Sequence, residues 1–234
     1  MDRLELTRLL TGKEPEAITR TLAMMAYNPA IGRVLEKGGV DRFADLMFET
    51  IPKFYGLVTR DHFESVHAGA CEQILASFKT NRGETLSYGQ AQKPLNVFLK
   101  VYVDWAGQPG ADLAQKLRPL LHVPLDRILM EYIAREFREE YEARVTRLRR
   151  QQADRLIERL KQHPSDSSPK MVERAFFGNE FSLVGINKET YFAWQELLRS
   201  LWPGKPVMLD IIWVLERARI REKTGARPQE EPAS

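Results

Sequence analysis

The chain has 234 residues, of which 43% are hydrophobic and 29% are charged, and its formal net charge is +3. These fractions are typical of a globular domain and exclude a disordered chain, while the small positive charge permits a nucleic-acid partner without indicating one. The single cysteine, Cys71, excludes an internal disulfide. No apolar run approaches the roughly 20 residues that a membrane helix needs, and the N-terminal stretch is too charged for a secretory signal. We therefore expect a cytoplasmic protein without a membrane partner.

Apolar residues recur at helical spacing along almost the whole chain. In chain order, this pattern predicts helices that begin near Lys13 and that cover about 40–51, 61–79, 94–105, 126–162, 188–201 and 207–222. The helix that starts at Pro94 is apolar almost all round, which indicates a central, buried position. We predict an all-α fold of two lobes, with a helical body over 1–163 and C-terminal helices over 170–223 that pack on it. The composition of 163–169 predicts a linker, and that of 224–234 predicts a disordered tail.

The predicted helix over 126–162 becomes strongly charged in its second half, 138–161. Acidic residues dominate the start of this half and arginines its end, and both are interleaved with an apolar stripe of Val145, Leu148, Leu156 and Leu160. Three interpretations stay open. The helix is an exposed one with ion pairs between residues i and i+4, or Arg147, Arg149 and Arg150 contact phosphates, or the stripe binds a protein partner or a second copy of the chain.

The histidines and the cysteine do not form a metal-ligand pattern. His62 and His67 are five residues apart, which misses the i+3 and i+4 spacings that place two ligands on one helix face. Cys71 has no second thiol to pair with in binding a metal. The chain also lacks a glycine-rich phosphate loop. We therefore predict neither a metal site nor a cofactor.

Two residues are placed where they can form a reactive pair. Lys93 lies at the entry to the predicted central helix, and Asp126 follows Pro124 at the start of the next long helix. The neutral amine of a lysine is a nucleophile that forms imines, and a carboxylate at a helix start is stabilised by the helix dipole. The two residues are thus a candidate pair for imine chemistry. They also fit a plainer interpretation, in which Lys93 extends to solvent and Asp126 only caps a helix.

The segment Val123-Pro124-Leu125-Asp126 resembles the Val-Pro-X-Asp segment of the helix-hairpin-helix DNA glycosylases. The stretch from Leu86 to Lys93 occupies the place of that family's hairpin and catalytic lysine. The separation of 33 residues between Lys93 and Asp126, with a hydrophobic helix directly after the lysine, is most similar to the divergent archaeal 8-oxoguanine glycosylase branch. The resemblance spans about a fifth of the chain. It implies a helix-hairpin-helix-like fold and double-stranded DNA as the partner.

The resemblance also implies roles for individual residues. Lys93 would attack the sugar C1′ and displace a modified purine of the 8-oxoguanine type, Asp126 would stabilise the developing positive charge, and the resulting imine would permit strand cleavage. The residues in the place of the hairpin would bind the DNA backbone; they are Ser87, Tyr88, Gly89, Gln90 and Gln92. The flipped base would enter a pocket formed by Trp105, Asp210 and Trp213.

A second hypothesis requires no catalysis. The chain would be an all-α interaction or oligomerisation protein that uses its long charged helix, or a DNA-binding protein that has lost its chemistry. The hypotheses differ in the geometry that they require. An enzyme needs Lys93 and Asp126 to converge on one cleft near an aromatic ring, whereas an interaction protein leaves them apart and solvated and exposes the apolar stripe of 138–161.

Overall fold

The structure, a computed structural model, describes residues 5, 13–27, 35–36, 38–56, 58–162 and 180–224. Its first helices are α1 (Glu14–Ala26), α2 (Val40–Thr50), α3 (Arg60–Ser77), α4 (Tyr88–Leu99) and α5 (Ala111–Leu117). The later helices are α6 (Arg127–Glu136), α7 (Arg138–Tyr141), α8 (Arg147–Gln162), α9 (Lys188–Leu201) and α10 (Ile211–Thr224). Two π-helical turns extend this set, one that continues α4 over Lys100–Trp105 and one that joins α7 to α8 over Glu142–Thr146.

These elements confirm the predicted all-α class. Within the described ranges, β structure is limited to two isolated bridges, Leu35–Thr80 and Lys79–Thr85. None of the described helices has both the length and the apolar character that a membrane crossing requires. The bounds of α9 are those predicted, and α2 ends one residue earlier than predicted, at Thr50.

Helix α4 lies at the centre of the fold, as its apolar pattern predicts. Leu95, Phe98 and Leu99 are buried, and the helix packs against α1, α3 and α9. The hydroxyl of Tyr102, in the π-helical continuation, lies 2.9 Å from the hydroxyl of Tyr55, which follows α2. Two polar side chains of α4, Gln92 and Asn96, are fully buried with these apolar residues.

Helix α4 begins at Tyr88, before the predicted start at Pro94. Ser87 is its N-cap: Ser87 Oγ accepts a hydrogen bond from the Gln90 N–H at 3.2 Å, and Gln90 Oε1 accepts one from the Ser87 N–H at 2.9 Å. This reciprocal capping box satisfies amides of the first turn, so the helix starts here and Pro94 lies inside it. Lys93 is consequently in the second turn of α4, and most of the stretch predicted as a hairpin is helical.

The predicted helix over 126–162 is broken at Phe137. The backbone of this residue has φ −124° and ψ 52°, which is outside the helical region, and it separates α6 from α7. No glycine or proline lies nearby in the sequence, so the usual signals of a helix end are missing. From Arg138 to Gln162 the chain is helical throughout, including its π-turn, and this is the long charged helix of the prediction.

The apolar stripe of the long charged helix is used partly inside the protein. Val145 is fully buried where the π-turn packs on α9. Leu156 is 37% exposed, so the second half of the stripe is more open to solvent. Binding of a partner or a second copy through 138–161 stays a prediction.

The C-terminal helices contact the rest of the fold at several places. Helix α9 packs against α4 and α8, and α10 packs against α6. The predicted linker at 163–169 and the predicted tail beyond Thr224 lie outside the described residues. The division of the chain into two lobes therefore stays a prediction.

Candidate functional site

Lys93 and Asp126 are in contact although they lie on different elements. Lys93 Nζ donates a hydrogen bond of 3.1 Å to Asp126 Oδ2. The two side chains are 22% and 16% exposed, so protein encloses most of the pair while a path to solvent remains. Charges in such a partly desolvated place interact more strongly than they do on an open surface. The arrangement combines a reachable amine with a carboxylate that is held close to it.

The start of α6 holds Asp126 in this position. As the N-cap of α6, Asp126 accepts the Leu129 N–H on Oδ1 at 2.9 Å, while its other oxygen contacts Lys93. The positive end of the helix dipole stabilises the negative charge of the carboxylate. The carbonyl of Pro124 accepts a second, longer hydrogen bond from Lys93 Nζ, at 3.4 Å. The Pro124 carbonyl oxygen and Asp126 Oδ2 thus both accept hydrogen bonds from Lys93 Nζ.

A second lysine–carboxylate pair lies on the same helix. Lys100 is the first residue of the π-helical continuation of α4, about two turns after Lys93 and hence on the same face. It forms an ion pair with Asp210 in which both side chains are about one-seventh exposed. Lys100 Nζ also lies 4.6 Å from the centroid of the Trp105 ring, a cation–π contact. Trp105 is 69% exposed. Trp105 and Asp210, two of the residues predicted for a base pocket, are therefore brought together by Lys100, which the sequence interpretation missed.

Trp213, the third residue predicted for the pocket, lies in the first turn of α10. It is half-buried, and the guanidinium carbon of Arg217 lies 5.0 Å from the centroid of its ring. Trp213 follows Asp210 by three residues in the sequence, so it lies close in the chain to one member of the Lys100–Asp210 pair. Its role in a base pocket stays a prediction.

Three of the residues predicted to bind the DNA backbone are turned into the protein. Tyr88 is 6% exposed, and Gln92 is fully buried and donates a hydrogen bond from Nε2 to the Gly89 carbonyl at 2.9 Å. The Gly89 N–H donates to the carbonyl of Ile186 at 3.0 Å. This corrects the prediction for Tyr88, Gly89 and Gln92, because the segment 182–186 packs on the start of α4 and leaves these residues unavailable to a phosphate.

Ser87 and Gln90, the other two residues of that set, are half-buried. Their side chains form the capping box of α4, and Ser87 Oγ also donates a hydrogen bond to the Leu183 carbonyl at 2.7 Å. Their polar groups therefore already have partners within the protein. Phosphate contact by Ser87 and Gln90 stays a prediction.

A buried polar network lies next to the Lys93–Asp126 pair. Asn96, on α4, donates from Nδ2 to the Tyr191 hydroxyl at 2.9 Å and accepts on Oδ1 from His67 Nε2 at 2.7 Å. His122 Nδ1 lies 2.7 Å from the same tyrosine hydroxyl. All four side chains are at most 1% exposed. The network joins α3, α4 and α9 to the segment that leads to Asp126, and sequence reasoning found none of these links.

The two buried histidines of this network make stability dependent on pH. Burial lowers the pKa of His67 to about 4; burial, and secondarily the nearby His67, Arg199 and Arg60, lowers the pKa of His122 well below its ordinary range. The unfolded chain binds protons at these histidines near pH 6.5 and the folded chain does not, so stability is lost as pH falls from about 6.5 toward 4.

We expect the free energy of unfolding in urea to fall by about 2.5 kcal/mol between pH 7 and pH 5.5, roughly half of it from each histidine. The fall should be smaller in His67→Gln, which keeps a polar side chain at this position but cannot titrate. Equal free energies of unfolding at the two pH values in the wild type would contradict the expectation.

Among the described residues, no group of three or more His, Cys, Asp or Glu side chains lies close enough to hold a metal ion. Cys71 is buried, and burial raises the pKa of its thiol to about 12, which makes it a poor nucleophile at neutral pH. Comparison with protein-family models, with curated proteins and with solved structures gives no match for this chain. The function of the protein must therefore be inferred from the geometry of the site, above all from the Lys93–Asp126 and Lys100–Asp210 pairs.

Proposed function

We propose that the protein is a DNA glycosylase with AP lyase activity, which removes a modified purine of the 8-oxoguanine type through an imine at Lys93. The observation that carries this proposal is the 3.1 Å contact between Lys93 Nζ and Asp126 Oδ2 in a largely enclosed place that solvent still reaches. An interaction protein would leave the two residues apart and solvated. Their contact supports the enzyme over that alternative.

The reaction starts when the ammonium of Lys93 releases a proton to water and leaves the nucleophilic amine. A bond forms between Nζ and C1′ of the deoxyribose while the bond from C1′ to the purine breaks, and the base leaves with that electron pair and takes up the proton that Nζ loses. Asp126 stabilises the positive charge that develops at C1′ and the ring oxygen. The sugar ring then opens to an imine between Lys93 and C1′. Loss of a C2′ proton expels the 3′ phosphate, and water finally hydrolyses the imine.

The second lysine–carboxylate pair supports a base pocket within reach of the amine. Lys100 offers a hydrogen-bond donor and Asp210 an acceptor to the edge of a base, and the exposed ring of Trp105 offers a surface for stacking. Lys93 and Lys100 are separated by about 10 Å along the helix axis. A flipped nucleotide can bridge that span with its sugar at Lys93 and its base at Lys100.

Two positive side chains around Asp104, the residue before Trp105, support binding to the DNA backbone. Arg118 and Lys205 both pair with Asp104, at 3.2 and 2.6 Å, so that two cations share one carboxylate. Asp104 directly precedes Trp105 in the chain, and the ring of Trp105 is 69% exposed. Contacts of Arg118 and Lys205 with phosphates would replace the backbone contacts that Tyr88, Gly89 and Gln92 cannot make. DNA binding through these two side chains would weaken as the salt concentration increases.

One observation favours a second candidate function, the binding of a protein partner. Ile211, Val214 and Leu215 lie on one face of α10 and are 51%, 53% and 61% exposed. Adjacent exposed apolar side chains often mark an interaction surface. A protein that only binds a partner would form no covalent adduct with DNA, so the experiment below separates the two candidates.

The experiment is borohydride trapping on a duplex that carries 8-oxoguanine, with the wild type and Lys93→Ala compared. We expect a covalent protein–DNA adduct with the wild type and none with the variant, because borohydride fixes only the imine. Lys188→Ala is the matched control: this lysine pairs with Glu72 at the surface, and its loss should not affect trapping.

Two results would overturn the proposal. The first is that the wild type neither forms an adduct nor releases a base across 8-oxoguanine, other oxidised purines and an abasic site. The second is that Lys93→Ala traps as well as the wild type, which would place the imine on another lysine.

A further inference from the structure

Gln195 holds the main chain just before Asp126. This residue lies on α9 and is 3% exposed. Its Oε1 accepts a hydrogen bond from the Val123 N–H at 2.9 Å, and its Nε2 donates one to the Val123 carbonyl at 2.9 Å. A single side chain thus binds both polar main-chain groups of one residue. We call this arrangement the Val123 clamp.

The clamp acts on a stretch that has no regular structure of its own. Residues 121–126 belong to neither a helix nor a strand, and the first five of them are buried. Buried main-chain groups need hydrogen-bond partners, and the stretch has no helical or sheet ladder to supply them. At Val123 the partners come from Gln195, together with a longer bond of 3.4 Å from Asn96 Nδ2 to the carbonyl.

The clamp lies immediately before the two oxygens that contact Lys93. Pro124, the next residue, contributes its carbonyl at 3.4 Å, and Asp126 contributes Oδ2 at 3.1 Å. Pro124 has a restricted φ angle. The residues that follow it therefore cannot easily compensate for a displacement of Val123. A shift of Val123 would therefore move both oxygens relative to the amine.

We propose that Gln195 is a positioning residue, which sets the placement of Asp126 and of the Pro124 carbonyl against Lys93. The inference rests on the proposed function for its kinetic consequence, and on the geometry alone for its structural consequence. Only a primary amide carries a donor and an acceptor at the correct spacing for both groups of Val123. A carboxylate would lose the donor, and an apolar side chain would lose both groups.

The first measurement requires no DNA. In labelled protein, the carboxyl ¹³C shift of Asp126 is recorded with and without Lys93→Met. In an otherwise wild-type chain, we expect Lys93→Met to change this shift because the amine beside the carboxylate is removed. In a chain that already carries Gln195→Met, Lys93→Met should change the shift much less. Gln151→Met is the matched control, because it makes the same chemical change on an exposed position of α8.

The second measurement is excision of 8-oxoguanine by the full chain. Gln195→Met should lower kcat by about 10²-fold, as expected for a displaced catalytic group, and leave KM nearly unchanged because no substrate contact is removed. Gln151→Met should retain both values. If Gln195→Met lacks the native circular dichroism, Gln195→Asn replaces it, since it keeps the amide but is one methylene too short to hold both groups of Val123.

The outcomes separate this inference from the proposed function. Two results would overturn the positioning role. One is that Lys93→Met changes the ¹³C shift of Asp126 as much in the Gln195→Met background as in the wild type. The other is that Gln195→Met leaves kcat unchanged in an enzyme that is otherwise active. If the wild type shows no excision at all, the proposed function fails, and the ¹³C measurement still decides whether Gln195 places Asp126 against Lys93.

Discussion

Asp126→Asn should slow the excision of 8-oxoguanine by about 10²–10³-fold, the usual cost of losing one electrostatic group that stabilises a transition state. The free energy of unfolding should change by only about 1 kcal/mol, because asparagine is as good an N-cap as aspartate. The amide can still accept the Leu129 N–H, which Asp126 Oδ1 accepts at 2.9 Å. What is lost is the negative charge beside Lys93. Single-turnover excision and urea unfolding measure the two effects separately.

Asp126→Ala is the comparison that separates charge from capping. It should lose as much activity as Asp126→Asn, and it should also lose about 1 kcal/mol more stability, because the start of α6 then has no cap. If the asparagine variant keeps the wild-type rate, Asp126 is a helix cap and nothing more. In that case the mechanism proposed for Lys93 would lack its carboxylate.

Gly89→Ala should lower the free energy of unfolding by about 3 kcal/mol, a large value for adding one methyl group. A β-carbon at this position would overlap the Leu183 carbonyl oxygen and lie 2.8 Å from Ile186 Cβ. The 182–186 segment would have to move, which breaks the bonds that it forms with the Gly89 N–H and with Ser87 Oγ. Urea unfolding with circular dichroism measures the loss.

Gly69→Ala is the matched control for this substitution. Gly69 lies in the middle of α3 and is exposed, and a β-carbon there would meet no atom within 4 Å. Alanine should therefore raise the free energy of unfolding by about 0.5–1 kcal/mol through the better helix propensity. A Gly89→Ala variant that is as stable as the wild type would show that the 182–186 segment does not pack on α4 in solution.

Local signals in the sequence predict many of the helix bounds, and fail where two signals compete. Lys188–Leu201 follows Asn187, whose side chain accepts the Thr190 N–H, so a standard cap marks its start. For α4, the Ser87–Gln90 capping box was readable as a serine followed three residues later by a glutamine. The predicted start at Pro94 follows the proline, which is common in the first turn of a helix, and is therefore six residues too late. Phe137 shows the opposite case, a break with no local signal.

The candidate site was predictable only in part. Residue type and position at two predicted helix starts made Lys93 and Asp126 a candidate pair, and the resemblance supported it. Spacing alone does not determine which helix starts meet in space. Lys100 had a usable signal, since it lies two turns after Lys93 on the same face of an apolar helix. Its partner Asp210 is 110 residues away, and no pattern in the chain connects them. The burial of Gly89 likewise depends on a segment almost a hundred residues later.

The buried network also determines when the native structure can form during synthesis. Tyr191 is bonded to Asn96 across 95 residues and to His67 across 124. During synthesis, Lys93 and Asp126 leave the ribosome well before α9, and until α9 follows, the main chain at Val123 and these polar side chains lack their later partners. Buried groups without partners are costly, so the native arrangement forms late. A nascent or truncated chain therefore holds Lys93 without the buried contacts that surround it in the folded protein.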